Sequence, residues 1–164
     1  MPLSRWEWYA ISTFRKENGA PFEAPSPITL ERLQGALDQL GFDGIRGSGW
    51  QVFFEFAALT FVLSLPRNNG YASMHTSWSV PEKDNPGKTQ LATMLDRWNR
   101  ERYLPTLYLV ERPQGSTNVF ADFVVLAEFG LSGMQLNNHL VLGATVCADA
   151  IDYVQWSLRA LKNV

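Results

Sequence analysis

The chain has 164 residues, enough for one domain with a sizeable core. Apolar residues make up 46% and charged residues 18%, which argues against a disordered chain. The formal net charge is -2, from 14 basic and 16 acidic residues, so no broad positive field exists for a phosphate backbone and nucleic-acid binding is not expected.

In chain order, residues 1–14 carry Trp6, Trp8, Tyr9, Ile11 and Phe14, too apolar for a free tail, yet they lack the apolar run of a signal peptide. Residues 17–27, "ENGAPFEAPSP", read as a linker. The expected organisation is an extension and linker over 1–24 and one domain over 25–164. "ITLERLQGALDQLGF" reads as a helix, with Thr29 as cap and Ile28 packing on Leu33 as a staple. Leu30, Leu33, Leu37 and Leu40 share a face, and Gly41 suits the C-terminal cap. "GIRGSG", residues 44–49, precedes a strand instead of opening a helix, so its glycines read as turn residues and not as a dinucleotide loop.

Strand-like runs follow in "WQVFFEF" and "LTFVLSL". No strong turn dipeptide separates them, and a tight hairpin near Ala57-Ala58 competes with one long bent strand. This most apolar stretch, Trp50 to Leu65, is interrupted by Gln51, Glu55, Thr60 and Ser64 and is shorter than the roughly 20 residues of a membrane helix. Asn69-Gly70 offers a clearer turn into "YASMHTSWSV". Leu91, Met94, Leu95 and Trp98 have helical spacing over 90–102. "PTLYLV" and "VFADFVVLAEF" are strands on either side of the turn "RPQGSTN". Ser132 and Gln135 resemble a capping box for one long final helix. Its stripe is Leu136, Leu140, Ala144, Cys147, Ile151, Val154, Leu158 and Leu161, and Gly143 is a candidate bend. Five strands with helices at both ends imply an α+β fold: an antiparallel sheet of about five strands with helices packed against it.

No catalytic, cofactor-binding or metal-binding constellation emerges. Cys147 is the only cysteine, so an intrachain disulfide is impossible, and inside an apolar stripe it reads as an inert hydrophobe. His75 and His139 have no neighbour at metal-ligand spacing. Asp122 and Glu128 share a strand face by parity, and Asp149 and Asp152 sit three apart on the last helix, both patterns ordinary for solvated surfaces. Six tryptophans supply either core or a sticky surface for a protein partner.

"MLDRWNRERYLPTLYLV", residues 94–110, is the most distinctive stretch. On a helical wheel Trp98 joins Leu91, Met94 and Leu95, which makes it a core residue, while Asn99 falls on the flank of that face. Arg97, Arg100 and Arg102 are offset by Asp96 and Glu101, which again speaks against a nucleic-acid patch. "LDRWNRERYLPTLYL" resembles the Trp-Asn-Arg-Glu-Arg…Pro signature of YbjN-like domains, also called bacterial sensory-transduction-regulator domains. The signature positions here are Trp98, Asn99, Arg100 and Pro105. The likeness extends to "ITLERLQGALDQLGF", the strands ending at "SWSV", "NVFADFVVLAEF" and "GLSGMQLNNHL", roughly residues 25–162. It implies a fold like the type III secretion chaperones, commonly dimeric, with no established catalytic residues. Thr106-Leu107 stands where more basic residues often follow the proline, and residues 1–22 lie outside the likeness.

The resulting expectation is a non-enzymatic protein-binding module with a regulatory or chaperone-like role. It is expected to be cytoplasmic and homodimeric, with an unidentified protein partner, no cofactor, no nucleic acid and no membrane. The competing reading is a small-molecule-binding or hydrolytic domain whose pocket gathers His75, Asp122 and Glu128.

Overall fold

The computed structural model describes residues 23–65, 70–112 and 115–161. Thr29 opens helix α1 (Leu30–Gln39), its hydroxyl accepting from the Arg32 amide. Leu33 and Leu37 are fully buried, and Gly41 takes the positive φ of 76° that ends the helix. The chain then enters six strands: β1 (Asp43–Ser48), β2 (Gln51–Phe56), β3 (Leu59–Ser64), β4 (Tyr71–Ser79), β5 (Thr106–Glu111) and β6 (Thr117–Leu126). Helix α2 (Lys88–Glu101) lies between β4 and β5, and α3 (Gly133–Leu161) closes the described chain. The strands form one antiparallel sheet in the order β1-β2-β3-β4-β6-β5, so among the described residues β1 and β5 are its edges. The α+β architecture matches the expectation, with six strands instead of about five.

Register explains which face is core. Phe54, Phe61, Thr76, Ala121 and Leu107 line up across five strands and are all buried. The adjacent row runs Arg46, Phe53, Val62, His75, Asp122 and Thr106, and by the period of two it occupies the opposite face. Leu91, Leu95 and Trp98 of α2 and the stripe of α3 from Leu136 to Leu158 bury against the first face. Helix α3 is continuous through Gly143, where a Cβ would stand 2.7 Å from the Phe123 ring and 3.0 Å from the Met74 sulfur. The glycine therefore brings helix and sheet together. Ser132 and Gln135 exchange two hydrogen bonds, of 2.9 and 3.2 Å, and so cap this helix as a box.

Several local expectations are corrected. The extra strand is β1, read from sequence as turn glycines. Gly47 fits because α1 crosses close by, a Cβ there standing 2.9 Å from the Gln34 amide, and Gly44 takes φ 63° where the ladder slips between Asp43 and Arg46. Ala57 and Ala58 do form the tight turn between β2 and β3, both in the left-handed region with φ of 51° and 61°. β6 ends at Leu126, so Glu128 leaves the Asp122 face and sits in the following turn against Gly70. Leu161 is 45% exposed at the end of the α3 stripe. The aromatic run of residues 1–14 lies outside the described residues, as does Asn69 of the expected Asn69-Gly70 turn. Residues 23–27 are tied down: the Glu23 carboxylate accepts the Gly133 amide, Ser26 bridges Leu131, and Arg32 donates to the Ser26, Pro27 and Leu131 carbonyls.

Candidate functional site

The apolar spacing of α2 delivers Trp98 to the last turn, 8% exposed, with its indole N–H donating to the Pro105 carbonyl at 3.1 Å. Its ring lies 5.0 Å from that of Tyr153 on α3, and the Arg102 guanidinium sits 5.3 Å from the indole centroid. Asn99 makes two bonds to one residue of the next strand: its amide donates to the Leu107 carbonyl at 2.8 Å and its carbonyl accepts the Leu107 N–H at 2.9 Å. Pro105 is fully buried after a cis Leu104–Pro105 bond. Arg100 points outward and pairs with Asp96 at 3.3 Å, an exposed contact of little energetic weight. Three of the four signature residues thus build the joint between α2 and β5, and the fourth decorates its surface.

Beside that joint is an open groove of about 510 Å³. Its floor is Trp98 and Tyr153; Leu104 and Trp156 form the rim, and Asp149 and Asp152 add acidic groups along one wall. Trp156 is 68% exposed and Leu104 43%, while Tyr103 next to them projects fully into solvent. Large aromatics and an arginine around a shallow trough are the residue types that anchor protein–protein contacts. From sequence, Asp149 and Asp152 look merely solvated, and Trp156 attracts no attention. The available signal is that positions 149, 152 and 156 share a helix face outside the Cys147–Ile151–Val154 stripe, which leaves a tryptophan pointing away from the core.

The residues of the competing reading are only partly gathered. His75 and Asp122 are directly opposed across β4 and β6, but no hydrogen bond joins them among the described residues. Burial lowers the His75 pKa against the opposing pull of Asp122, and burial raises that of Asp122 against the pull of His75. Both shifts favour uncharged forms. Tyr108, stacked on Phe120 at 5.3 Å, is also raised, by burial and then by Asp122. Glu128 lies beyond the Tyr71–Leu126 pair, four residues or about 13 Å along the strands from His75 and Asp122. Burial holds the Cys147 thiol protonated, with Asp122 adding to the effect. His139 lies on α3 beside a small apolar cavity of about 30 Å³, with its Nδ1 buried and unpartnered. Among the described residues no cluster of His, Cys, Asp and Glu has the geometry to hold a metal ion, and no helix is long and apolar enough to cross a membrane.

Comparison with known proteins places this geometry. No curated protein matches the chain in sequence. Among solved structures the chain is similar to "YbjN, a putative transcription regulator from E. coli", with a TM-score of 0.64 at 12% identity over 82% of this chain and 97% of that one. It is also similar to an uncharacterized protein from Methanothermobacter thermautotrophicus, with a TM-score of 0.59 at 12% identity over 81% of this chain and 98% of that one. At such identity these structures speak for the fold. Residues 29–156, which hold α1, the whole sheet, the α2–β5 joint and most of α3, match the family model described as "putative bacterial sensory transduction regulator", and the chain therefore belongs to the YbjN family.

Proposed function

We propose that this chain is a non-enzymatic regulatory module that holds a protein partner in the groove between α2 and α3. The observation that carries the reading is the exposed apolar rim, Trp156 with Leu104, standing on a floor fixed by the buried Trp98. A tryptophan 68% exposed contributes little to the fold, whereas burial by a partner would remove a large apolar area from water. The description of the family as a regulator supports a regulatory role, and the openness of the groove suits an extended segment, as in a chaperone-like activity. We take the chain to work in the cytoplasm as a homodimer; light scattering should then give about twice the 18.5 kDa chain mass, and a monomer at every concentration would contradict this part. A hydrolytic or small-molecule site is the weaker reading, since His75 and Asp122 meet but Glu128 stands apart.

The test compares the parent with Trp156→Ala in affinity capture from native extract, followed by mass spectrometry. The expected result is a partner retained by the parent and lost by Trp156→Ala while the two melt together. Full retention by the variant would remove the groove from the account.

A further inference from the structure

We propose that the edge of β5 is a strand-pairing surface for a second copy of this chain, and that Asn99 holds it shut. A backbone N–H donates one bond, and that of Leu107 goes to the Asn99 carbonyl, so it points away from β6. The Leu107 carbonyl points the same way and accepts from the Asn99 amide. In an antiparallel ladder a hydrogen-bonded pair consists of two residues that exchange both N–H···O bonds. Asn99 gives Leu107 that same pair of bonds from a side chain, and so occupies the place of a seventh strand. Because β5 pairs with β6 without a bulge from Thr106 to Glu111, alternation turns the Leu109 backbone groups outward as well.

Among the described residues the edge has few other guards. "TLYLVE" is rich in β-forming residues, contains no proline, and carries its one charge at the last position, where Glu111 is taken by Lys88 at 2.8 Å. Tyr108 and Val110 are 40% and 37% exposed on the side of the sheet away from the helices. A strand pairs antiparallel with its own copy about a two-fold axis, so a second copy is the partner that fits this edge without further complementarity. Asn99 itself is exposed, at the outer rim of the sheet, where a strand-blocking group must be. The device does not depend on the groove, and the two readings fail separately.

Light scattering over a wide range of concentration tests the inference with Asn99→Ala, Asn99→Asp and Asn99→Ala combined with Val110→Lys. The parent should keep one mass, and Asn99→Ala should add a concentration-dependent species of at least twice that mass. Asn99→Asp, which keeps the acceptor for the Leu107 N–H, should associate less. The Val110→Lys charge on the opened edge should return the double variant to the parent mass. If Asn99→Ala keeps the parent mass throughout, the inference fails. It also fails if Val110→Lys leaves the association unchanged, since general exposure of core and not strand pairing would then be responsible.

Discussion

The two edges of the sheet are closed in different ways. β1 is blunted by its own sequence: Gly44 at φ 63° breaks the ladder between Asp43 and Arg46, and the pairing with β2 is irregular there. β5 is regular and apolar, and its closure is borrowed from α2 through the two bonds of Asn99 to Leu107. An edge can therefore be protected by making the strand a poor template, or by leaving it a good template and filling the position beside it. The second solution ties the edge to the Trp98 joint, so that one short stretch both packs α2 and fills the position beside β5.

The largest expected effect lies on the β5 side. Trp98→Ala removes a buried ring packed on Tyr153 and the bond to Pro105, and should cost about 3–5 kcal/mol in a urea melt, out of the roughly 5–15 kcal/mol of an ordinary domain. Asn99→Ala should cost about 1–2 kcal/mol, because the freed Leu107 groups regain water at the edge instead of being buried unpaired. Such a small loss beside a clear gain in association would separate the edge role of Asn99 from the packing role of Trp98. On the β1 side Gly44→Ala forces a left-handed alanine and presses Cβ to 2.8 Å from the Glu55 side chain, so about 1–2 kcal/mol should be lost without any change in mass. The smallest effect has the opposite sign. Ala58→Gly in the β2–β3 turn should stabilise by up to about 1 kcal/mol, because the alanine at φ 61° pays a left-handed penalty that glycine does not. A destabilised Ala58→Gly protein would show that the flexibility of the unfolded glycine outweighs the relieved strain.

Features set by local pattern were legible in the sequence. The Thr29 cap, the Ser132–Gln135 box and the buried faces of α1, α2 and α3 follow from spacing within one helix, and each is present. Features set by distant neighbours were not. β1 is not legible because its glycines look like turn residues until α1 is laid over Gly47. Two alanines carry no turn signal, and the Ala57–Ala58 hairpin is imposed by the pairing of Phe54 with Phe61 and its neighbours. Parity sets Glu128 beside Asp122 only if the strand continues past Leu126, and it ends there. The groove was hidden for a related reason: Leu104 and Trp156 are more than fifty residues apart and meet only when α3 packs beside the end of α2.

Amide hydrogen exchange at Leu107 and Leu109 tests the reading of Asn99 most directly, because the two N–H groups are neighbours on the same edge and both point away from β6. The account predicts a slowly exchanging Leu107 and a fast Leu109 in the parent, with Leu107 becoming as fast as Leu109 in Asn99→Ala at a concentration too low for association. Equal rates at the two positions in the parent, or a Leu107 amide that stays protected without Asn99, would contradict it.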